Sequence, residues 1–382
     1  QIGSTDNLEY RLNTVVNHKN ENYYFHIISC LKDDGGKHMY SIDETYFIKQ
    51  LNALMDIDSV TGMYRNIQNY VTDELTRLGF KCSESRKGAP VCSLGGNGNP
   101  LLITAHLDEI GLTVRHINDD GTLQVRMIGG AYPYSTINEN VRIYTFDNKV
   151  YTGSVQRHPS SVHILTEEER LSALDYGKNV CVLLDENVRN ADDVRKLGID
   201  IGCIIALEPR TCICGDFIKS RFLDEKAAAA MLLCAAKTVK ELKPDFKREV
   251  IAHFGVYEEE GHGCSYIPDN VADILSVDIA PTGPLQNSDE HKVSVLCQDC
   301  LMRYHYEMTQ ELINTAKEEG INYVTDIFDP GYSTDSTCAA KSGYDIRYGA
   351  ICFGVSNSHG YERIHMDGIR ACYSLMMAYM LK

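Results

Sequence analysis

The sequence predicts an α/β protein whose two halves are separated by a small all-β unit. Three observations carry that expectation. The apolar run Pro100-Leu-Leu-Ile-Thr-Ala105 has the make-up of a buried strand and leads directly into His106. Over residues 111–207 the pattern changes to short alternating runs at 112–117, 123–128, 141–146, 150–155 and 203–206, broken by turn signals such as Asn118-Asp-Asp-Gly121. Beyond Leu207 longer apolar runs and helical periodicity return, led by an Ala-rich segment at 224–242.

The individual elements follow in chain order. Residues 1–38 are polar and irregular and read as a native tail or a vector-derived leader, so they stand outside the fold argument. Ser41-Ile-Asp-Glu44 has the form of a capping box, opening a helix with Phe47, Leu51, Leu54 and Met55 on one face. A second helix from about Asn66 aligns Ile67, Val71, Leu75 and Leu78 and stops at Gly79. In the second half, 224–242 is a helix closed by Pro244, and 250–257 and 274–279 are buried strands. Helices at 310–319 and 367–381 complete the chain.

A chain of 382 residues exceeds an ordinary single core, which agrees with one domain interrupting another. Lys+Arg 37 against Asp+Glu 53 gives a net charge of -16, which disfavours nucleic acid and anionic membranes as partners. No apolar stretch approaches the roughly 20 residues that span a bilayer, and residues 1–37 lack the charged-then-apolar layout of a secretion signal. The 14 cysteines are scattered. Cys212-Ile-Cys214 and Cys297-Gln-Asp-Cys300 lack the second ligand pair of a structural zinc site, so both read as structural or incidental. A reducing cytoplasm is the expected setting.

Chemistry-bearing residues recur where apolar strands give way to loops. His106-Leu-Asp108 follows the first strand, Glu258-Glu-Glu-Gly261 follows 250–257, and His359-Gly-Tyr-Glu362 follows the apolar 350–355. Asp278 interrupts an otherwise apolar strand, and Asp224 opens the Ala-rich helix. Each has an ordinary explanation: a core histidine, an N-cap aspartate, a solvated run of glutamates. Asp278 resists one, because a carboxylate flanked by Val277 and Ile279 needs a partner to be buried. A shared explanation is simpler. Two histidines and three carboxylates form a mixed N/O donor set suited to Zn²⁺ or a neighbouring first-row metal, and one bridging carboxylate would make a two-metal hydrolytic site. The adjacent glutamates then divide into a metal ligand and a free proton shuttle. No serine-nucleophile elbow, Walker loop or dinucleotide fingerprint competes.

Taken together, Ala105-His-Leu-Asp-Glu-Ile-Gly111, Asn118-Asp-Asp-Gly121, Gly129-Gly130, Leu223-Asp-Glu-Lys226, Glu258-Glu-Glu-Gly261, Asp278, Ser333-Thr-Asp335 and His359-Gly-Tyr-Glu362 resemble the tetrahedral-aminopeptidase family. That family includes glutamyl and deblocking aminopeptidases, and the resemblance runs from Ser41 to the C-terminus. It implies a zinc-exopeptidase-like α/β/α catalytic domain at 39–110 and 208–382, with a β-rich, barrel-like oligomerisation domain inserted at 111–207. It implies that Asp224 bridges two divalent ions, with Glu259 and His359 completing one site and His106 and Asp278 the other. Glu258 takes the role of general base, and Asp108 that of the residue orienting His106. Zinc is the foremost metal, with cobalt or manganese as alternatives.

The resulting expectation is a metal-dependent aminopeptidase acting on short peptides and assembled as a homo-oligomer, twelve subunits built from dimers in the family's form. Departures from the family pattern at Glu260, His262-Gly-Cys264 and Ile201-Gly-Cys203 bear on substrate preference. Asp335 has two open readings, beside the substrate pocket or capping a turn. The alternatives are a co-catalytic amidohydrolase acting on dipeptides or acyl-amino acids, and a non-catalytic assembly protein on the same fold. Relatives sometimes carry glucanase labels, which the absence of Trp weighs against.

Overall fold

The protein is described by a computed structural model covering residues 40–382; the tail or leader expected at 1–38 lies outside the described residues. An eight-stranded mixed sheet forms the body. Its strands lie in the spatial order Cys82–Glu84, Pro90–Gly95, Val250–Gly255, Leu101–His106, Asp273–Pro281, Arg347–Val355, Val293–Gln298 and Tyr323–Ile327. The four central strands run parallel to one another. Parallel strands are covered on both faces, which is why these read as continuous apolar runs.

Alternation persists beneath that uniformity. Leu101, Ile103 and Ala105 join the main core with the Ala-rich helix, whereas Leu102 packs with Ile251, Ile274 and Ala339 on the opposite face. Thr104, His106, Ser276 and Asp278 share the parity of that second face. The polar residues of two buried strands therefore emerge on one side, close to the strand ends.

The helix Leu223–Leu242 covers the first face with Ala227, Ala228, Ala229 and Ala230 fully buried, their small side chains admitting close approach to the sheet. Glu44–Met55 packs against it. Asp43, and not the Ser41 of the expected capping box, is the N-cap, accepting the Tyr46 N–H at 3.0 Å. Tyr46 is the third helical residue, and Ser41 stands two positions too early to reach it. The second helix, Arg65–Arg77, ends at Leu78, with Gly79 following at φ +87.

The all-β stretch is a closed antiparallel barrel of Gly111–Ile117, Leu123–Ile128, Val180–Leu184, Val150–Arg157, Asn140–Tyr144 and Ile204–Leu207, in that spatial order. Leu112, Val114, Val141, Ile143, Val155, Val182 and Ile205 fill it. Alternate positions such as Arg115, Arg126 and Gln156 remain at least partly accessible, as one-sided strands require. Closure leaves the sheet no free edge. A smaller antiparallel sheet of Cys212–Cys214, Phe217–Ser220 and Glu362–His365 lies beyond the barrel in sequence.

At the junction of sheet and barrel, the Glu109 carboxylate accepts a hydrogen bond from Lys226 Nζ, both side chains essentially without solvent exposure. Lys226 Nζ also donates to Ile57 O at 2.8 Å, and Ser59 N donates to Glu109 Oε1 at 3.1 Å. Replacing Lys226 with Met leaves Glu109 buried without its cation. The expected cost is roughly 3–5 kcal/mol, read as a lower urea midpoint; an unchanged midpoint would show that the pair contributes nothing to stability.

Candidate metal centre

The carboxyl ends of the parallel strands meet at one edge of the sheet, where open α/β sheets place their ligands. His106 ends Leu101–His106 in register with Gly255, so Glu258 and Glu259 lie just beyond the end of the adjacent strand. Asp278 is on the other neighbour, two residues past Ser276, the last residue paired with Thr104. His359 follows Arg347–Val355. Asp224 enters from the start of the Ala-rich helix.

The cap position of that helix belongs to Phe222 at φ 64, and Asp224 itself has non-helical φ −75, ψ 97. Extended angles of this kind suit a capping Asp, but the carboxylate faces side chains and not the backbone of the following turn. Instead it lies between two imidazoles: His106 Nε2 is 3.4 Å from Oδ1, and His359 Nε2 is 3.3 Å from Oδ2. Glu258 Oε2 lies 3.6 Å from His106 Nε2, and Glu259 Oε2 lies 3.6 Å from His359 Nε2. Donor atoms of His106, Asp224, Glu225 and Asp278 fall within 4.8 Å of one another, as do those of Asp224, Glu259 and His359. All seven residues singled out in the sequence, Asp108 included, meet in this one place.

Supporting contacts hold the set. His106 Nδ1 lies 3.0 Å from Asp108 O and 3.4 Å from Asp108 Oδ1. The Asp108 carboxylate also accepts the N–H groups of Glu258 (3.0 Å) and Glu259 (3.3 Å) and the Thr61 hydroxyl (2.8 Å). One side chain thus fixes both the imidazole and the glutamate turn. Glu362 does the same on the other side, accepting from Asp224 N at 3.0 Å and His359 N at 2.9 Å. Asp335 Oδ1 accepts the Cys264 N–H at 2.8 Å and Oδ2 the Thr104 hydroxyl at 3.2 Å, tying the far end of the glutamate loop to the His106 strand. Thr334 occupies the cap position before Asp335.

The barrel also reaches the site. A Cβ at Gly130 would stand 2.1 Å from His359 Nδ1, so only a glycine fits there. The buried Arg221 donates to Gly360 O at 3.3 Å and lies 3.0 Å from Glu139 Oε1, joining the barrel's edge to the His359 loop.

The electrostatics follow from crowding. Burial, then neighbouring carboxylates, pushes Glu258 and Glu225 well above the usual carboxyl range; burial likewise raises Asp278 to about 8 and Glu259 to about 7. Asp224 goes the other way: burial opposes ionisation, but His106 and His359 hold it well below the usual value. His359 is raised to about 11, chiefly by the Glu259 carboxylate. His106 is raised as well, because Asp108 and Asp224 outweigh its burial. Ligands must lose their protons to bind a metal, so protons and cations compete for such a donor set.

Glu225 tests the fit. It is 1% exposed, and neither carboxylate oxygen has a hydrogen-bond partner. A carboxylate in that position needs a proton or a cation, and the mixed N/O donors around it suit divalent ions. Neither Glu225 nor the supporting role of Glu362 was singled out in the sequence. Both stood inside quoted motifs, but a glutamate at a helix start or in a loop reads as solvated until its burial is known.

A sequence profile described as M42 glutamyl aminopeptidase matches residues 88–375. A Bacillus subtilis (strain 168) protein named as a candidate aminopeptidase, YhfE, is 33% identical over 348 residues, covering 89% of this chain and 98% of its own. Among solved structures, a TET aminopeptidase from a marine-sediment thaumarchaeon superposes with a TM-score of 0.78 at 16% identity, covering 89% of this chain and 97% of that one. The Pyrococcus horikoshii TET1 peptidase, described as assembling into a tetrahedron or a large octahedral shell, gives 0.77 at 18% identity over 88% and 99%. At such identities these two likenesses show the fold, while the profile and the B. subtilis relative, each spanning most of the chain, establish that this protein belongs to the M42 glutamyl aminopeptidase family.

Proposed function

We propose that this M42-family protein is a two-metal aminopeptidase that removes N-terminal residues from short peptides in the cytoplasm. The observation carrying the reading is Asp224 lying between His106 and His359, each imidazole facing a different carboxylate oxygen. In this reading His106, Asp224 and Asp278 hold one divalent ion and Asp224, Glu259 and His359 the other, zinc foremost and cobalt or manganese as alternatives. Bound there, such ions supply Lewis acidity, polarising a scissile carbonyl and lowering the pKa of an attacking water toward about 7.

The chain's own groups do the rest. Glu258 accepts the water's proton and returns it to the leaving amine. Asp108 keeps His106 in orientation and, through the two backbone N–H groups it accepts, keeps the glutamate turn in position. The acidic surroundings attract a free α-ammonium group, which favours cleavage next to the N-terminus over cleavage within a chain.

The test is a panel of aminoacyl chromogenic substrates and their N-acetylated counterparts, assayed on metal-stripped protein resupplied with Zn²⁺, Co²⁺ or Mn²⁺. Metal-dependent turnover confined to free amino termini is the expected result. Equal turnover of N-acylated substrates would replace the reading with that of an amidohydrolase, and no turnover in any metal with that of an assembly protein.

In the same reading, 39–110 and 208–382 form the catalytic domain and 111–207 an inserted assembly domain. A closed homo-oligomer of twelve subunits built from dimers is expected, since exposed apolar side chains on the stretch 111–207, such as Tyr134, Phe146 and Ile164, are then covered by symmetric contacts. Light scattering checks this: a strictly monomeric yet active protein would rule the assembly out.

A further inference from the structure

We infer that Glu225 is a further ligand of the ion held by His106, Asp224 and Asp278, and that the two ions of the centre are therefore unequal, one enclosed by protein donors and the other exchangeable. The inference rests on the two-metal reading above and deepens it. Its starting point is the unmet chemistry of one side chain. Glu225 is buried, and neither of its carboxylate oxygens has a hydrogen-bond partner. Protonation alone does not answer that. A neutral carboxyl in the same place carries an O–H donor, and a buried donor without an acceptor is costly as well. Lys226, the next residue, is committed to Glu109 and to Ile57 O. A divalent cation is the group that can engage the Glu225 oxygens.

The backbone brings two consecutive carboxylates to one place. In a regular helix neighbouring side chains diverge by about 100°, so Asp224 and Glu225 would not share an ion. Asp224 leaves the helical conformation at φ −75, ψ 97, which frees the pair from that divergence. Ligand atoms of His106, Asp224, Glu225 and Asp278 accordingly fall within 4.8 Å of one another. The lone pairs that ligation needs are uncommitted. His106 Nδ1 is turned to Asp108 O at 3.0 Å, which leaves Nε2 for the ion. Asp278 Oδ1 accepts the Ile279 N–H at 2.6 Å, which leaves Oδ2. His106 Nε2 stands 3.4 Å from Asp224 Oδ1; tetrahedral donors with bonds of about 2.0–2.1 Å are separated by roughly 3.3–3.4 Å. Glu258, though 3.6 Å from His106 Nε2, falls outside this set and stays free for the proton.

The other donor set is smaller and more open. Asp224, Glu259 and His359 gather three ligand atoms, and no further histidine, cysteine or carboxylate joins them among the described residues. The His359 side chain is 33% exposed, against 2% for His106. Zinc sites closed by four protein ligands are characteristically structural, whereas sites with three keep a position for water or substrate. The buried imidazole with its three carboxylates therefore holds its ion tightly. The His359 side gives up and regains its ion readily and presents the open position. Metal exchange and substrate access share that side.

The experiment counts zinc per chain on the full-length protein, loaded with Zn²⁺ and dialysed against rising concentrations of the chelator dipicolinate. The wild type is expected to release its ions in two steps, with a plateau at one per chain. Glu225→Gln keeps the shape of the side chain and loses its anionic oxygen. It is expected to release its last ion at a chelator concentration lower by more than the roughly 10–100-fold that a merely supporting residue costs. Glu259→Gln is expected to lose the readily released ion and keep the plateau. Release of both wild-type ions in a single step would overturn the inference, and that result is read without any variant. So would a last ion held by Glu225→Gln as firmly as by the wild type. A wild type that takes up no zinc would end the two-metal reading itself, whereas two zinc ions held alike with and without Glu225→Gln would end this inference alone.

Discussion

Glu258→Gln is expected to keep its metal content and to lose turnover by roughly 10²–10⁴-fold, the range in which a general base contributes. The amide preserves the shape of the side chain but cannot accept the water's proton. Retention of metal is expected because the turn is held through backbone groups: Asp108 accepts the N–H groups of Glu258 and Glu259, and neither bond involves the Glu258 carboxylate. The next residue, Glu259, still faces His359. Paired measurements of kcat at saturating substrate and of metal per chain check the expectation. Wild-type turnover in a metal-replete variant would remove Glu258 from the base role.

Asp224→Asn is expected to weaken both ions together, whereas His106→Gln empties mainly one. The asymmetry follows from the two oxygens of Asp224 facing different imidazoles, 3.4 Å from His106 and 3.3 Å from His359. An amide replaces one anionic oxygen with a donor, so both donor sets lose charge in a single change. His106 faces the Asp224–Asp278 side alone and leaves the Glu259–His359 side intact. Titration of each variant with Zn²⁺ distinguishes the patterns. If Asp224→Asn loses no metal, or if His106→Gln loses both ions, the bridging role fails.

Much of this is legible in the sequence. The run ending at His106 and the carboxylate at Asp278 between two apolar neighbours announce buried strands with polar residues at one end, since burial of an unpaired charge needs a reason. Strand Val293–Gln298 and edge strand Tyr323–Ile327 do not stand out in the sequence. Both are short and mix polar with apolar residues, and the pairing that makes them strands comes from distant parts of the chain. Ser41 and Glu44 imitate a capping box, which sets the expected cap two residues before the observed one at Asp43. Glu225 and Glu362 escape a reading of the sequence for a different reason. A glutamate's role depends on burial, and the burial of these two is set by elements more than a hundred residues apart.

Gly130 carries a consequence for inheritance and engineering. It belongs to the stretch that leaves the barrel strand Leu123–Ile128, yet its missing side chain makes the space that His359 occupies. The barrel is thus no detachable accessory. A chimaera that grafts in a foreign barrel would have to bring its own glycine at the matching position, or the imidazole would be driven out of place. A random-mutagenesis screen for lost activity should accordingly recover changes at Gly130 alongside changes at the ligands themselves, and a map of such hits would blur the border that the chain's topology draws so sharply.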